Sequence, residues 1–361
     1  MVKPQRSILF GPMPPPWGGV SVFMNSIAAS AIARGAEIWA YAGKPHATPS
    51  VRFVNHRRFS HLWMLMRRGR GARITDSTHF HLEYPHPALL PPWIALKKSL
   101  GFRWIKIVHD GSLPYRFEKF SATQMRLFRA AVKWIDEIIA VDQSLASWLL
   151  NTAGFRGKIA VIPPLLPTPG PGSGTGGITG AQRNTLDNFA LHKKKVLSIG
   201  VFAAPYGFDQ VAHAVESIRT DSGEDIGLLL GDSEFDLDTE YRDRVLAGRD
   251  WIHVVKSVSH SALAGVYCLA DVFVRAFERE SFGLSRVEAL WAGVPVVATR
   301  AGETRGMLIY DFGDIDQLSA HIRSALGGDI DNNAAECAEA YRHEAKENLE
   351  RYLTEIRGAV G

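Results

Sequence analysis

The chain has 361 residues, of which 46% are hydrophobic, and a formal net charge of +4. This length predicts two globular domains, each with its own core. No apolar run reaches the ~18–20 residues that span a bilayer, and the N-terminal residues lead directly into a predicted strand rather than a signal-peptide core. We therefore expect a cytoplasmic protein. Cys268 and Cys337 lack metal-ligand or redox spacing and are predicted to be reduced structural thiols.

Positive charge is concentrated in the first part of the chain. Between Ile38 and Thr75 there is no acidic residue, while eight cations are present: Lys44, Arg52, Arg57, Arg58, Arg67, Arg68, Arg70 and Arg73. Within His56–Arg73 the arginines alternate with apolar residues, namely Phe59, Leu62, Trp63, Leu65 and Met66. This mixture predicts either peripheral contact with an anionic membrane surface or a helix that buries its apolar side on a sheet. No nucleic-acid-binding motif accompanies the charge, so a nucleic-acid partner is not expected.

Strand and helix patterns alternate along residues 1–163. The predicted strands are 7–10, 37–41, 78–82, 104–109, 138–141 and 158–162, and the predicted helices are 20–33, 121–135 and 144–150. This alternation is typical of an α/β domain whose mostly parallel sheet is covered on both faces. His79 and His81, with Glu83 and His86 nearby, are compatible with a metal site, but a polar strand end facing a cleft explains the same residues. No metal is predicted.

A second α/β domain is predicted for residues 191–332. Its first strands are 195–200, 226–231 and 251–255, and its first helices are 209–219, 238–247 and 261–269. Residues 164–190 include a run rich in Pro and Gly and are interpreted as a linker or loop. The final segment, 333–361, carries a helical pattern that is expected to cross back to the first domain. Asp236 and Asp238 form a D-x-D pair just before a helix, a position that favours a helix cap over the alternative, metal binding.

The residue pattern from Asp271 to Thr299 predicts a strand, a loop, a helix and a second strand, which together form a βαβ unit. Its loop, 277–283, therefore lies at the carboxyl end of a parallel strand, where α/β sheets bind ligands, and leads into a helix N-terminus that can hold phosphate. Glu280 lies in this loop, and Glu288 lies about one turn into the helix. The two carboxylates are expected to meet near the anion site, where they can accept hydrogen bonds from sugar hydroxyls.

The two glutamates stand in an E-x7-E arrangement within E-S-F-G-L-S-R-V-E-A-L-W-A-G-V-P-V-V-A-T. This segment resembles the nucleotide-sugar signature of the retaining family 4 glycosyltransferases of GT-B fold, in which two Rossmann-like, doubly wound domains face a central cleft. The resemblance implies that Glu280 contacts donor-sugar hydroxyls and that Glu288 binds the ribose. It also implies that the N–H groups around Phe282, Gly283 and Leu284 face the diphosphate. The alternative is that both glutamates only complement the positive helix end.

Two segments of the first domain extend the resemblance. Gly18 and Gly19, at a helix start, resemble the family's glycine-rich first loop, where small residues let the backbone approach the donor; a plain tight turn is the alternative. His109, in I-K-I-V-H-D-G-S, resembles the histidine that the family places beside the transferred sugar, and it is predicted to be catalytic together with Glu280. The alternative for His109 is a capped turn histidine. Asp142 is interpreted either as an acceptor-side residue or as a helix N-cap.

The first loop of the second domain departs from the family pattern. Where the family carries an arginine and a lysine that neutralise the donor diphosphate, this chain has Val201 and Tyr206. Removal of one such stabiliser typically lowers the rate by roughly 10²–10³. We expect arginines near the central loop to replace the lost cations, and Arg279 is the first candidate because it directly precedes Glu280.

These features predict a metal-independent, retaining hexosyltransferase. It would move a sugar from a nucleotide-sugar donor to a saccharide or lipid-linked saccharide in cell-surface polysaccharide synthesis. No cofactor is predicted, since the nucleotide-sugar is a substrate. The loss of the two cations also favours a second hypothesis, a catalytically weak, sugar-nucleotide-binding partner subunit of such a pathway. The expected location is the cytoplasm or, through His56–Arg73, the inner face of the cytoplasmic membrane.

Overall fold

The computed structural model describes residues 5–14, 18–41, 51–54, 60–165, 178–232, 238–328 and 333–358. The chain divides into two compact units, unit 1 with Met1–Pro167 and Ala345–Gly361, and unit 2 with Thr168–Glu344. Each unit contains one parallel sheet with helices between its strands. The predicted α/β class, built from two doubly wound parallel sheets, is confirmed.

The described part of unit 1 contains seven strands and six complete helices. The strands are β1 (Ser7–Pro12), β2 (Glu37–Tyr41), β3 (Val51–Phe53), β4 (Arg73–Asp76), β5 (Arg103–Val108), β6 (Glu137–Ala140) and β7 (Lys158–Val161). The helices are α1 (Gly19–Ala33), α2 (Ser60–Arg68), α3 (Leu90–Leu100), α4 (Leu113–Glu118), α5 (Ala122–Trp134) and α6 (Gln143–Asn151). The strand order is β3-β2-β1-β4-β5-β6-β7, and all the pairings are parallel. The order reverses between β1 and β4, and the carboxyl ends of strands at such a reversal form a crevice.

The described part of unit 2 has the same architecture with six strands. They are β8 (Lys194–Gly200), β9 (Ile226–Asp232), β10 (Ile252–Lys256), β11 (Val272–Arg275), β12 (Val296–Thr299) and β13 (Leu308–Tyr310). The helices are α7 (Gly180–Ala190), α8 (Phe208–Ser222), α9 (Thr239–Leu246), α10 (His260–Tyr267), α11 (Leu284–Trp291), α12 (Ile315–Gly327) and α13 (Asn333–Arg357). The strand order is β10-β9-β8-β11-β12-β13, again all parallel, so the reversal lies between β8 and β11.

Alternation along β5 shows how the core of unit 1 is built. Trp104 and Val108 pack into one apolar cluster, while Ile105 and Ile107 pack into another. Because successive side chains of a strand point to opposite faces, the sheet buries both of its faces. The last turns of α13 close the second cluster through Tyr352, Leu353 and Ile356. Helix α13 therefore contributes its first part to unit 2 and its last part to unit 1.

Three local predictions were wrong or incomplete. The predicted strand 78–82 is a series of turns, and the strand lies earlier, at Arg73–Asp76. The reason is that the Asp76 carboxylate accepts a hydrogen bond from the Thr78 N–H at 2.8 Å and turns the chain. Helix α7 occupies the second half of the predicted linker 164–190, capped by Thr179; residues 166–177 lie outside the described residues. Helix α3, whose first turn contains two prolines, was not predicted, and neither were β3, α4, β13 and α12.

Within the described ranges, no helix is both long enough and apolar enough to cross a membrane.

Candidate active site

The predicted βαβ unit is present in unit 2 as β11, the loop 276–283, α11 and β12. Because β11 is the neighbour of β8 at the reversal of strand order, this loop meets the loop that follows β8. The contact is aromatic: the Tyr206 ring stacks on the Phe277 ring with centroids 4.4 Å apart and planes at 23°. The two loops that the sequence assigned to donor binding therefore form one surface.

Gly283 sets the start of α11. Its φ of +86° lies in the left-handed region, and a Cβ there would lie 2.8 Å from Cδ of Arg286 and 3.1 Å from Cγ of Glu280. Only glycine fits this conformation and this space. Leu284 is the first helical residue, and Phe282, just before the glycine, is buried with its ring edge-on to Tyr341.

Glu280 is held as an ion. Its carboxylate, 11% exposed, accepts a hydrogen bond from Nε of Arg275 at 2.7 Å. Burial by itself would raise the pKa of the Glu280 carboxyl, but the cations of Arg275 and then Arg286 hold that pKa below its usual range. An ionised carboxylate beside a helix N-terminus can accept strong hydrogen bonds from hydroxyl groups of a ligand.

Arg286, in the first turn of α11, has a structural role that the sequence did not indicate. Its guanidinium is fully buried, and Nη1 donates to the backbone oxygens of Ala301 at 2.5 Å and Glu303 at 3.0 Å. Nη2 donates to Oγ1 of Thr299 at 2.9 Å. Burial lowers the pKa of Arg286 to about 10, so the side chain still carries its charge at neutral pH. The Arg286 side chain therefore links α11 to the end of β12 and the segment that follows it.

Glu288, in the second turn of α11, accepts hydrogen bonds from two residues of α10. Nε2 of His260 lies 2.8 Å from Oε1, and the Tyr267 hydroxyl donates to Oε2 at 3.0 Å. Burial raises the pKa of the Tyr267 hydroxyl well above its usual value, and the Glu288 charge adds to this effect, so the hydroxyl remains a donor. Neither donor was predicted from the sequence. Their spacing of seven residues, which places them on one helix face, was the available signal.

Arg275 is a cation that contacts the loop after β8. The Cζ atom of Arg275 lies 5.4 Å from the ring centroid of Tyr206 and 5.2 Å from that of Phe277. Arg279 instead forms an ion pair with Glu278 at 2.6 Å. Val201 is buried. At the first position where the family pattern has a cation, this chain has the buried Val201. At the second it has Tyr206, whose ring lies next to Arg275 from the neighbouring strand β11.

In unit 1, predicted site residues gather at the carboxyl edge of the sheet. His109 follows β5, and its Nε2 lies 2.7 Å from Oγ of Ser77, which follows β4. The His109 ring also packs edge-on against Phe23 of α1, with centroids 4.8 Å apart. Helix α1 begins at Gly19, where a Cβ would have no heavy atom within 4 Å, and Gly18 is its N-cap. Ser77 was not predicted from the sequence.

A buried group of charged residues fixes the turn that carries Ser77. The Asp76 carboxylate lies 2.8 Å from Nδ1 of His81, and Nζ of Lys106 lies 3.3 Å from Oε2 of Glu83; all four side chains are fully buried. Lys106 also donates to the Thr78 backbone oxygen. This network replaces the polar strand end that the sequence predicted. In the described part of the chain, no group of three or more His, Cys, Asp and Glu side chains is arranged to hold a metal ion.

His79 and His109, both at this edge, are neutral at pH 7. Burial lowers the pKa of His79 to about 4, and the Lys106 cation adds to this effect. Burial also lowers the pKa of His109 well below its usual value, with smaller contributions from His79 and Lys106. A neutral imidazole can both donate and accept a hydrogen bond, as required for positioning a sugar hydroxyl.

Asp142 and Asp238, for each of which the sequence left a helix cap and a second role as alternatives, both cap helices. Oδ1 of Asp142 accepts a hydrogen bond from the Leu145 N–H at 2.8 Å at the start of α6. Asp238 accepts one from the Tyr241 N–H at 2.9 Å at the start of α9. Asp236, the other member of the D-x-D pair, lies outside the described residues.

Comparison with known families and structures gives consistent matches. The family model described as Glycosyl transferases group 1 matches residues 187–344, and the model described as Glycosyltransferase Family 4 matches residues 17–168. Comparison with curated protein sequences finds no significant match.

Solved structures with the same fold cover nearly the whole chain. HepE from Anabaena in complex with UDP and glucose aligns with a TM-score of 0.72 at 16% identity, over 96% of this chain and 98% of that chain. Sucrose-phosphate synthase from Thermosynechococcus elongatus aligns at 0.69 and 18% identity, again over 96% and 98%. A UDP-forming α,α-trehalose-phosphate synthase from Burkholderia xenovorans, in complex with glucose-6-phosphate, aligns at 0.70 and 15% identity, over 98% and 100%.

Proposed function

Because the chain belongs to the glycosyltransferases of GT-B fold, group 1 and family 4, we propose that it transfers a sugar, with retention of configuration, from a nucleotide-sugar to a saccharide or lipid-linked saccharide. The predicted family, the GT-B fold and the enzyme class are confirmed. The donor, the acceptor, the stereochemistry and a role in surface polysaccharide synthesis are the proposal.

The observation that carries the proposal is the state of Glu280. Its carboxylate is kept ionised by Arg275, beside the helix start at Gly283 and Leu284. This arrangement is suited to accept hydrogen bonds from donor-sugar hydroxyls, and the helix N-terminus of α11 is assigned to the diphosphate. Glu288, held by His260 and Tyr267, has lone pairs left for the ribose.

In the proposed reaction, the acceptor hydroxyl attacks the anomeric carbon on the face from which the nucleoside diphosphate leaves. The new C–O bond forms as the bond to the diphosphate breaks, and the hydroxyl proton passes to the departing phosphate. No protein nucleophile is assigned. His109, fixed by Ser77, is assigned to a hydroxyl of the transferred sugar, and the Arg275 cation to the charge that develops on the diphosphate. The proposed reaction uses no metal ion and no cofactor.

Uridine diphosphate sugars are the first donors to test. HepE from Anabaena has been crystallised with UDP-glucose and with UDP and glucose, and the synthase from Burkholderia xenovorans is UDP-forming. At 15–16% identity these structures share the fold with this chain, so the base is part of the proposal.

The second candidate function is a sugar-nucleotide-binding partner subunit with little activity of its own. The observation that favours it is the loop after β8, where Val201 is buried and Tyr206 is stacked on Phe277. Such a subunit would bind the donor and yet release little nucleoside diphosphate in the presence of any acceptor.

Thermal-shift measurements with UDP-, GDP-, ADP- and CMP-sugars, followed by assays of nucleoside diphosphate release, test the proposal. A bound donor stabilises the native state by RT ln(1 + [L]/Kd), so the correct donor raises the unfolding temperature. The enzyme proposal predicts a stabilising donor that is also turned over. Stabilisation without turnover, across a range of saccharide acceptors, would favour the partner subunit.

A further inference from the structure

The loop between β12 and β13, residues 300–307, covers the segment that leads into α11. A Cβ at Gly302 would lie 3.0 Å from Cγ of Glu280 and 3.1 Å from the backbone oxygen of Phe282, so the loop passes directly over these two residues. The Glu303 N–H donates a hydrogen bond to the same Phe282 oxygen at 3.0 Å. Because Glu280 and Phe282 are assigned to the donor, the position of this loop affects the packing around the donor site.

Arg305 links this loop to α13. Its Nη1 and Nη2 donate to Oε1 and Oε2 of Glu344 at 2.7 and 2.9 Å, which makes the pair bidentate. The same guanidinium donates to the Glu303 carboxylate, with Nη2 3.1 Å from Oε2. One cation therefore joins a carboxylate of the loop to a carboxylate of the helix. The Arg305 side chain is 48% exposed, so solvent screens the charges, and the bidentate geometry is what favours the pair.

Tyr341, three residues before Glu344 in α13, contacts the same loop. Its side chain is buried, and its hydroxyl donates a hydrogen bond to the backbone oxygen of Arg305 at 3.2 Å. Cζ of Arg305 lies 4.6 Å from the Tyr341 ring centroid, and the ring lies edge-on to that of Phe282 with centroids 6.5 Å apart. One side chain of α13 thus contacts both the loop and Phe282. We call this group of four residues the Arg305 clasp: Glu303, Arg305, Tyr341 and Glu344.

The clasp lies where the chain leaves unit 2. Glu344 is the last residue of that unit, and α13 continues into unit 1 from Ala345. All three guanidinium nitrogens of Arg305 donate to carboxylates, so this cation is engaged in holding the loop rather than placed to neutralise a phosphate. The clasp therefore acts on the donor site through Phe282 and the loop 300–307.

We propose that Arg305 and Tyr341 are positioning residues for the donor site, which hold the loop 300–307 against Phe282, and that bound nucleotide in turn stabilises the first part of α13, residues 333–344. This inference rests on the proposed function, because it takes Phe282 and the start of α11 as part of the nucleotide site. The two effects are reciprocal. The factor by which the clasp strengthens nucleotide binding is also the factor by which bound nucleotide opposes opening of the clasp.

Calorimetric titration with UDP, GDP and ADP tests the first effect. Arg305→Ala should raise the Kd of the nucleotide that binds by about fivefold, the upper value for a partly exposed ion pair. Glu344→Ala should have the same effect, and the double variant should bind no more weakly than either single variant, because both changes remove one interaction. Tyr341→Phe keeps the ring and loses one hydrogen bond, so Kd should rise by about threefold.

A matched control comes from α12. The Arg323 side chain is 47% exposed and pairs with Asp221, so Arg323→Ala removes a similar cation and a similar ion pair from another surface of unit 2. This variant should bind nucleotide as the wild type does. Unfolding temperatures and circular dichroism spectra of the nucleotide-free variants identify any that fails to fold.

Hydrogen exchange read by mass spectrometry tests the second effect without any measurement of turnover. In the nucleotide-free protein, Arg305→Ala should exchange faster than the wild type and Arg323→Ala over residues 300–307 and 337–344. Bound nucleotide should slow exchange of residues 337–344 in the wild type by about the same fivefold factor, as reciprocity requires. In Arg305→Ala this protection should be lost.

Three results would overturn the proposal. One is wild-type nucleotide affinity in Arg305→Ala. Another is weaker binding in Arg305→Ala together with wild-type binding in Glu344→Ala, which would make Arg305 a direct ligand of the phosphate. The third is equal exchange of residues 300–307 in the wild type and Arg305→Ala. A wild type that binds none of the three nucleotides would instead contradict the proposed function, and exchange in the nucleotide-free protein would then decide on the clasp.

Discussion

Arg275 donates a hydrogen bond from Nε to the Glu280 carboxylate at 2.7 Å, and its Cζ lies 5.4 Å from the ring centroid of Tyr206. One guanidinium therefore contacts both the carboxylate assigned to the donor sugar and the ring that stands at a family lysine position. Arg275 is the last residue of β11, and its partner Glu280 lies in the loop that follows. We infer that this strand supplies the positive charge that the loop after β8 lacks.

The first prediction concerns this cation. Arg275→Met should lower turnover by about 10²–10³, since it removes the cation assigned to the diphosphate and leaves the Glu280 carboxylate without this partner. Arg275→Lys should retain part of the activity, because the ammonium keeps the charge without the planar donor geometry. Steady-state kinetics and titration with the nucleoside diphosphate measure both effects. Arg300→Met, which breaks an exposed ion pair with Asp311, is the control. Full activity in Arg275→Met would shift the test to Arg279→Ala and to the N-terminus of α11.

The second prediction separates the two glutamates. Glu288→Ala should weaken nucleotide binding, whereas Glu280→Ala should lower turnover more than nucleotide affinity, because only Glu280 is assigned to the transferred sugar. Tyr267→Phe removes one of the two hydrogen bonds that hold Glu288 and should weaken nucleotide binding by about fivefold, the value of a single hydrogen bond. Isothermal titration with the nucleoside diphosphate, beside initial rates, resolves the two effects. Loss of nucleotide affinity in Glu280→Ala with wild-type affinity in Glu288→Ala would reverse the assignment.

The third prediction concerns the pair Ser77 and His109. His109→Ala should reduce turnover while nucleotide binding stays nearly intact. Ser77→Ala should produce a smaller loss of the same kind, because the hydroxyl 2.7 Å from Nε2 orients the imidazole. Ser77→Thr keeps the hydroxyl and should restore most of the rate. Equal rates in wild type, Ser77→Ala and His109→Ala would return both residues to a structural role.

The fourth prediction is a pH dependence of stability in unit 1. The pKa of His79 is about 4 in the folded chain and about 6.5 when unfolded. Between these values the unfolded chain binds a proton that the folded chain does not, so stability is complete above about pH 6.5 and falls as the pH drops toward about 4. The slope for one such proton is at most about 1.4 kcal/mol per pH unit. His79 is partly exposed, which reduces this value.

Urea unfolding at about pH 7 and about pH 5 checks the sign. The wild type should lose more stability between the two conditions than His79→Asn, which cannot take up the proton. Glu83 acts in the opposite direction, since burial raises the pKa of its carboxyl, so the comparison rests on the difference between variant and wild type. His213→Asn, at an exposed histidine of α8, is the control. A His79→Asn slope equal to that of the wild type would contradict the neutral state of His79.

The sequence predicted the parts of the site that local structure determines. The E-x7-E segment has the pattern of a loop and a helix, and Gly283 between them is required by its positive φ and its close neighbours. The sequence therefore predicted both Glu280 and Glu288 as site residues. The sequence did not predict which way the Arg275 side chain points. That direction depends on the pleat of β11 and on how its neighbours pack. His260 and Tyr267 come from another helix, and their contact with Glu288 arises only from tertiary packing.

The wrong prediction of a strand at residues 78–82 in unit 1 has a related cause. Asp76, His81 and Lys106 are polar, and a reading of hydrophobic pattern places such residues outside the core. In the structure all three are fully buried, with the Asp76 carboxylate 2.8 Å from Nδ1 of His81 and 3.9 Å from Nζ of Lys106, and the turn after β4 lies where a strand was expected. Part of the basic segment, residues 56–59, lies outside the described residues. Residues 60–68 form α2, which packs Leu65 against the core and exposes Trp63, and Arg73 is the first residue of β4.

The most direct test of sugar transfer with retention is the configuration of the product. The donor that stabilises the protein is incubated with a saccharide acceptor, and the coupling constant of the new anomeric proton is read by NMR. We predict a product with the same anomeric configuration as the donor, formed by the wild type and lost or greatly reduced in Glu280→Ala. A product of opposite configuration, or undiminished transfer by Glu280→Ala, would contradict the proposed reaction.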